Sequence, residues 1–322
     1  MQRVLRNKCC KTNSYSEVKQ ALQGCFKKGN VFDIFDIVEE KLRGRNVSIV
    51  KQKFGNEMFV MKEFCKSENL ERNNMIMEKV ENERRIHSNL HHPFITKLVG
   101  SYESDDKYYL IFEFGKQGDL QALLDSQTSN LSQKQIKIFI AELILSISYL
   151  HSMKIVHRDL KPSNIVISEG HLKLIDFGLA KSLNENEKCT SFCGTNEFVA
   201  PEVIEGKDYD YKVDIWSLGV IIFRLCCGYL PFKSMNLERL YDSITSGKYR
   251  IYSNVDDITK DLISKLLQTD PSKRITLEEV MNHPFFLGIS FEKVLNREYE
   301  NDFSPIGFNE DSSDDEIIEI VM

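Results

Sequence analysis

The stretch "HRDLKPSNIVI", residues 157–167, carries the most informative polar pattern in the chain. An apolar run follows five polar side chains that stand within eight positions of one another: His157, Arg158, Asp159, Lys161 and Asn164. About twenty residues upstream, the apolar residues have the spacing of a core helix, so the stretch is not simply a solvated surface. Acid, base and amide groups concentrated beside a core segment indicate one part of an active site.

Three further short motifs stand at fixed distances from this stretch. Asp176-Phe177-Gly178 begins twelve residues after its asparagine, Ala200-Pro201-Glu202 begins 22 residues after that glycine, and "FVMK" occupies 59–62. Taken alone, each has an ordinary structural reading, such as a turn after a strand or a helix start with proline, and His157 could be a core histidine. With each position at about one in twenty by composition, such an ordered set of specified residues does not arise by chance.

The periodicity of the apolar residues predicts two unlike halves. From about residue 31 to 114 the pattern is strand-like, with a hairpin signal at Gly55-Asn56 and one charged helical insertion. Over 115–288 it is mostly helical, and Ser132 with Gln135 predicts a capping box ahead of an apolar stripe. We therefore expect a small β-rich lobe and a larger α-helical lobe, with a ligand site in a cleft between them.

Charge and composition narrow the class of protein. The net charge of −6 over 322 residues argues against bulk nucleic-acid binding, and no apolar stretch reaches the length of a membrane span. The N-terminus lacks the apolar core of a signal peptide, so we expect a cytoplasmic protein, with the nucleus as an alternative. The eight cysteines are then expected to be free thiols without a metal role.

The two ends carry opposite charge. Residues 1–30 contain seven Lys or Arg against Glu17 alone and are expected to form a basic arm, with a short helix at 15–26. The C-terminal tail, 289–322, is acidic from residue 309. A minor alternative has the basic arm contacting a membrane surface.

Taken together, the motifs resemble the signature of the eukaryotic protein kinases over roughly residues 31–288. The resemblance implies a bilobal α+β fold and transfer of the ATP γ-phosphate, with Mg²⁺, to hydroxyls of protein substrates. Asp159 would then be the catalytic base, and Lys161 would contact the transferred phosphate. Asn164 and Asp176 would supply the hard oxygen ligands that Mg²⁺ needs. Lys62 would hold the α- and β-phosphates.

The same resemblance requires an acid to orient Lys62. The candidates on the charged helix are Glu78, Glu81 and Glu83; counting back from "HHPF" favours Glu83 and leaves Glu81 in reserve. Further positions implied to contact the nucleotide are Val47, Val60, Glu113, Gly115 and Val166.

The phosphate loop departs from the family pattern Gly-x-Gly-x-x-Gly-x-Val. With Val47 as its valine, the three glycine positions hold Glu40, Leu42 and Arg45, and Gly44 is displaced by one. Glycine allows the backbone to close over phosphates, so we expect an active kinase with weakened or unusual nucleotide binding. The alternative is a pseudokinase scaffold.

Serine/threonine specificity is implied by Lys161 in "DLKPSN" and by Thr195, whose hydroxyl would bond to Asp159 and Lys161. "SFCGTNEFVAPE" resembles the AGC group, while "RITLEEVMNHPFF" also suits the calmodulin-dependent group. The family pattern further implies three structural residues. Glu202 would form a buried ion pair with Arg274, and Asp214 would brace the backbone of the catalytic loop.

Regulation and substrate preference can be argued from the same resemblance. Ser191, with Thr190 beside it, stands where AGC-like kinases carry an activating phosphate, which would draw Arg158 and could be added by an upstream kinase. The alternative is an ordinary loop hydroxyl. Substrate-reading acids are replaced by Ser163 and Arg224, whereas Asp119 retains its acid. We therefore expect tolerance of an Arg three residues before the target and indifference or aversion to one at two residues.

Overall fold

The computed structural model describes residues 26–40, 46–126, 131–185 and 187–299. The chain divides into two compact units. Unit 1 comprises Met1–Arg84 and Lys97–Phe114, and unit 2 comprises Arg85–Thr96 and Gly115–Met322. Among the described residues, no helix is both long and apolar enough to cross a membrane.

Unit 1 is built on a six-stranded sheet, whose strands are β1 (Lys27–Lys28), β2 (Phe35–Glu39), β3 (Val47–Gln52), β4 (Met58–Cys65), β5 (Leu98–Glu103) and β6 (Lys107–Glu113). They lie in the order β1-β5-β6-β4-β3-β2, and only the β1/β5 pair is parallel. Strands β3 and β4 form the hairpin predicted at Gly55-Asn56. A 3-10 turn, Val31–Asp33, precedes β2.

Both faces of this sheet bury apolar side chains. Met61 of β4 joins Val50 and Ile111 in one core cluster. Val60, one residue earlier, points to the opposite face because side chains alternate along a strand. There it packs in a second cluster with Val80 of helix α1, Leu70–Ser88. Helix α1 therefore packs on the face of the sheet to which Val60 points.

Unit 2 is mainly helical, with α2 (Leu120–Asp125), α3 (Gln133–Ser152), α4 (Pro201–Ile204), α5 (Lys212–Cys227), α6 (Leu237–Ser246), α7 (Asp257–Leu266), α8 (Leu277–Met281) and α9 (Phe291–Leu295). Short antiparallel pairs join β7 (Ile155–Val156) to β10 (Lys181–Ser182) and β8 (Ile165–Ser168) to β9 (His171–Leu174). Its 3-10 turns are Pro162–Asn164 and Pro284–Phe286. The predicted capping box begins α3, where the Gln135 amide donates to Ser132 Oγ at 3.2 Å and the Ser132 amide to the Gln135 side chain at 3.0 Å.

The predicted α+β class is confirmed, but the boundaries shift. The sheet begins at Lys27, inside the predicted 1–30 arm, because a two-residue strand has no period that a sequence pattern could reveal. Residues 85–96 belong to unit 2 rather than to the predicted small lobe. Beyond 288, α9 packs on α3. The helix predicted at 15–26, apart from its last residue, and the acidic tail lie outside the described residues.

Candidate active site

Lys62 and Glu83 form a buried ion pair within unit 1. Lys62 Nζ lies 2.8 Å and 3.0 Å from the two carboxylate oxygens of Glu83, whose side chain is fully buried. The register of β3 against β4 sets Val47 opposite Lys62, and Val60 lies on the same face two residues earlier. A buried carboxylate needs a cation partner, because an isolated buried charge is costly. Two carboxylate oxygens therefore fix the position of the Lys62 ammonium.

The reserve candidate, Glu81, has a different partner. Its oxygens accept from Arg84 at 2.5 Å and 2.7 Å, and Glu78 is exposed. Helix geometry explains the difference, since positions 81 and 83 are separated by about 200° around α1 and only one of them can face the sheet.

The predicted phosphate loop is described only at its ends. Glu40 is exposed directly after β2, and Val47 begins β3. Residues 41–45, which include Gly44, lie outside the described residues. The weakened nucleotide affinity that we expect from this glycine-poor loop stays a prediction.

Gly115 and Val166 approach each other closely in unit 2. A Cβ on Gly115 would come within 3.0 Å of two Val166 side-chain atoms, so a larger residue there would force Val166 to move. Glu113, at the end of β6 in unit 1, accepts from the Lys97 amide through Oε2 at 3.3 Å. The implied nucleotide contacts of all three residues stay predictions.

Three side chains hold the carboxylate of Asp159. Thr195 Oγ1 donates to its Oδ1 at 2.8 Å, Lys161 Nζ contacts Oδ2 at 2.8 Å, and Asn164 Nδ2 donates to Oδ2 at 3.0 Å. Lys161 Nζ also donates to Thr195 Oγ1 at 2.7 Å, which closes a ring of contacts. The carboxylate is therefore held in one orientation, as general-base chemistry requires.

A buried carboxylate on α5 braces the backbone just before Asp159. Asp214 accepts from the amides of His157 and Arg158 and contacts His151 Nε2, each at 2.9 Å. Burial acts to raise the pKa of Asp214, but its hydrogen bonds and the nearby imidazoles outweigh burial and leave that pKa below its ordinary value. These bonds also hold Arg158 at a φ of 67°, a left-handed conformation uncommon outside glycine.

Asp176 stands in a turn with a left-handed backbone, at a φ of 60°. The Gly178 amide donates to Asp176 Oδ1 at 3.2 Å. Phe177 is fully buried, and its ring centroid lies 4.7 Å from that of His87 and 5.0 Å from that of His157. Because the Phe177 ring is buried, the turn has a fixed position, and the Asp176 carboxylate is positioned with it.

The ligands predicted for Mg²⁺ suit a hard cation. Asn164 Nδ2 donates to the Asp159 carbonyl at 2.9 Å and to its carboxylate at 3.0 Å, which leaves the Asn164 side-chain oxygen as the acceptor it can offer a cation. The protein would then supply two ligands, the side-chain oxygen of Asn164 and the carboxylate of Asp176. Mg²⁺ is commonly bound by one or two protein ligands together with water and substrate phosphates. Across the described ranges, no group of three or more His, Cys, Asp or Glu could hold a metal ion.

The predicted phosphosite lies beside a half-buried cation. Arg158 Nη1 donates to Ser191 Oγ at 2.9 Å, and Ser191 and Thr190 are both exposed. Tyr209 supports this loop, because its hydroxyl donates to the Ser191 carbonyl at 2.7 Å, and burial raises the pKa of Tyr209 to about 12. Gly194, at a φ of 106°, passes so close to the Arg158 carbonyl that a Cβ would approach it to 2.9 Å.

Glu202 and Arg274 form an ion pair in the interior of unit 2. Arg274 Nη1 and Nη2 lie 2.8 Å and 2.9 Å from the two Glu202 oxygens, and each residue is only 2% exposed. Arg274 also donates to the carbonyls of Lys212 at 2.6 Å and Gln268 at 3.0 Å. Its guanidinium lies 5.2 Å from the ring centroid of Trp216. The pair is thus bidentate and shielded from water.

Sequence reasoning missed two residues of this site, Tyr209 and His151. Nothing in "GKDYDYK" distinguishes Tyr209 from the neighbouring Tyr211, so no sequence signal could have found it. His151 stands at the end of the apolar stripe of α3, six residues before His157, which is a weak signal for a buried polar contact.

The comparisons with known proteins all match this chain to protein kinases. A family model described as Protein kinase domain matches residues 44–286. The chain is 40% identical over 229 residues to the cAMP-dependent protein kinase catalytic subunit of Schizosaccharomyces pombe, covering 69% of this chain and 44% of that protein. It is 34% identical over 278 residues to Protein kinase 2 of Dictyostelium discoideum, covering 85% and 57%.

A third relative covers a similar share of the chain. The serine/threonine-protein kinase sgk-1 of Caenorhabditis elegans is 34% identical over 282 residues, covering 86% of this chain and 60% of that protein. The chain spans about half the length of the curated relatives it matches.

Proposed function

This chain belongs to the protein kinase family, with AGC-type serine/threonine kinases among its relatives, and from that premise we propose that it transfers the γ-phosphate of ATP to serine or threonine hydroxyls of proteins. The observation that carries the proposal is the Asp159 carboxylate, held in one orientation by Thr195, Lys161 and Asn164. A scaffold would have no need of a general base aligned in this way.

In the proposed reaction, the Asp159 carboxylate accepts the proton of the incoming hydroxyl, whose oxygen bonds to the γ-phosphorus while the bond from that phosphorus to the bridging oxygen breaks and ADP leaves. Lys161, already beside this carboxylate, places a positive charge where the transferred phosphate develops negative charge. Lys62, fixed by Glu83, holds the non-transferred phosphates. Bound Mg²⁺, on Asn164 and the Asp176 carboxylate, would neutralise phosphate charge.

The test of this proposal is phosphate transfer from Mg²⁺-ATP to a generic basic protein by the full chain, with Asp159→Asn alongside. Transfer by the wild type that exceeds the variant supports the kinase. Equal background transfer by the wild type and the variant would favour the pseudokinase scaffold, provided that mass spectrometry shows Ser191 to be phosphorylated. It would mean that the glycine-poor loop prevents productive binding of ATP.

We further propose that phosphorylation of Ser191 by an upstream kinase, or by the chain itself, activates the enzyme. The support is the Arg158 guanidinium, which already donates to Ser191 Oγ at 2.9 Å and follows directly on His157 in the catalytic loop. A phosphate there would add about −1.5 to −2 charge and form charge-assisted hydrogen bonds to Arg158.

Replacing Ser191 and Thr190 together with Ala should lower kcat/KM about tenfold to a hundredfold, the equivalent of one charge-assisted hydrogen bond. Phosphatase treatment should lower the activity of the wild type and leave the double variant unchanged. Ser246→Ala, which removes an exposed hydroxyl on α6, is the matched control. Unchanged turnover in the double variant would show that Ser191 is an ordinary loop hydroxyl.

Substrate preference is proposed from three residues of unit 2. Arg224 Nη2 lies 2.9 Å from Asp125 Oδ1, and its Nη1 donates to the Gly228 carbonyl at 2.7 Å, so the guanidinium is held in place with its charge paired to Asp125. Asp119 caps α2 by accepting from the Ala122 amide at 2.8 Å. Together with the neutral Ser163, these residues support tolerance of the distant Arg and indifference or aversion to the near one.

A peptide array should therefore accept Arg three residues before the target and show either no selection for, or selection against, Arg two residues before it, because neither Ser163 nor Arg224 offers a carboxylate to bind that Arg. Arg224→Glu together with Ser163→Glu should create selection at the nearer position. Strong selection for Arg at the nearer position by the wild type would contradict this assignment.

The location in the cell also stays a proposal. We propose that the protein is cytoplasmic, with the nucleus as an alternative, and cell fractionation tests it. Membrane contact by the basic arm remains the minor alternative, and residues 1–25 of that arm lie outside the described residues; salt-dependent binding to anionic vesicles tests it.

A further inference from the structure

The segment just before the sheet, Phe26–Lys28, joins unit 1 at the open side of β5. Lys27 and Lys28 pair in parallel with Tyr102 and Glu103, and the Gly29 amide donates to the Glu103 carbonyl at 3.3 Å. An unpaired edge strand leaves backbone donors and acceptors without partners, and β1 covers part of that edge. This pairing brings Phe26 to the helix side of the sheet.

The Phe26 ring contacts both the sheet and helix α1. Its centroid lies 5.4 Å from that of Tyr108, with the two rings inclined at 54°. The Arg84 guanidinium lies 5.5 Å from the Phe26 centroid, within the range of a cation–π interaction. Phe26 also packs against the cluster that contains Val80 of α1. One half-buried side chain therefore bridges two elements.

This part of α1 has few buried side chains. Between residues 70 and 84, all of which the structure describes, only Val80 and Glu83 are buried. The Glu83–Lys62 ion pair is buried at the carboxylate, and such a pair is weak evidence for stability because desolvation opposes its formation. The small apolar cluster to which Phe26 belongs, and on which Ile76 of α1 also packs, therefore contributes to the position of the helix.

We propose that Phe26 is a positioning residue that clamps α1 to the sheet in the arrangement in which Glu83 binds Lys62. Val80, Glu83 and Arg84 lie within about one turn of α1, so a ring held against Arg84 and Val80 also fixes the Glu83 carboxylate. Release of the Phe26 segment would let α1 move and take Glu83 away from Lys62. The proposal that this clamp controls activity rests on the proposed kinase function.

The direct test compares Phe26→Ala with Phe54→Ala, a matched control because Phe54 lies in the same unit and is 91% exposed. Phe26→Ala should lower kcat/KM roughly tenfold, since it removes an aromatic pair, a cation–π contact and part of a small core cluster. Amides of α1 between residues 76 and 84 should exchange with solvent at least about tenfold faster, while those of α7 stay unchanged. Phe26→Leu keeps apolar volume but loses the ring, so its kcat/KM and its α1 exchange rates should lie between those of the wild type and Phe26→Ala. This variant also allows the test if Phe26→Ala does not fold.

A double-mutant cycle with Glu83→Gln separates positioning from general destabilisation. If Phe26 acts through the Glu83–Lys62 pair, Phe26→Ala should cause little further loss of kcat/KM in the Glu83→Gln background. A loss of the same factor in both backgrounds, or unchanged α1 exchange in Phe26→Ala, overturns the clamp. If the wild type transfers no phosphate, the proposed function fails, and the exchange measurement still decides whether Phe26 clamps α1.

Discussion

Replacing Asp159 with Asn should lower kcat by about 10²- to 10⁴-fold, the loss expected when a positioned general base is removed. The variant should keep the local geometry. An asparagine oxygen can still accept from Lys161 and Asn164, and its NH₂ group can donate to Thr195 Oγ1, because a hydroxyl both donates and accepts. What the amide cannot do is take a proton. The loss should therefore appear in kcat, with nucleotide binding nearly unchanged.

The measurement is transfer of labelled phosphate at saturating Mg²⁺-ATP, with nucleotide binding followed separately by calorimetry. Asp208→Asn, which removes an exposed acid in the same unit, is the control and should match the wild type. A loss of less than about tenfold in Asp159→Asn would mean that Asp159 is not the base. A loss of nucleotide binding would instead mean that the substitution disturbs the site as a whole.

The segment proposed to be catalytic could be recognised in the sequence because its polar residues are close together in the chain. Asp159, Lys161 and Asn164 lie within six residues, so one loop conformation brings them together. The partner of Lys62 could also be chosen, because the kinase resemblance favours Glu83 when residues are counted back from "HHPF". The geometry of a regular helix explains why the reserve candidate does not serve. Glu83 and Glu81 differ by two positions and therefore by which side of the helix they occupy.

Contacts between distant segments could not be predicted in the same way. Arg297 Nη2 donates to the Pro93 carbonyl at 2.7 Å across a separation of 204 residues, and no local pattern marks either end. Tyr209 reaches Ser191 from a segment that reads as ordinary polar loop. Strand β1 is too short to show alternation. In each case tertiary packing, rather than local propensity, selects the partner.

Breaking the buried Glu202–Arg274 pair by Glu202→Gln should lower the free energy of unfolding by about 3–5 kcal/mol, because the substitution leaves a buried cation without its counter-charge. Glutamine preserves the shape, so the loss reports on charge rather than on a cavity. For a unit of this size, about 1 kcal/mol corresponds to 2–4 °C, so the thermal midpoint should fall by roughly 6–20 °C. Differential scanning calorimetry at neutral pH measures this shift.

The double variant Glu202→Leu with Arg274→Met distinguishes charge from hydrogen bonding. Apolar replacement of both members of a buried pair is often neutral or stabilising. Here Arg274 also donates to the carbonyls of Lys212 and Gln268, and each buried acceptor left without a donor costs about 1–3 kcal/mol. We therefore expect the double variant to lie between Glu202→Gln and the wild type. Lys260→Met, which breaks an exposed pair with Asp257, should leave the midpoint nearly unchanged. An equally small shift in Glu202→Gln would mean that water reaches the pair and screens it, contrary to the burial of both residues.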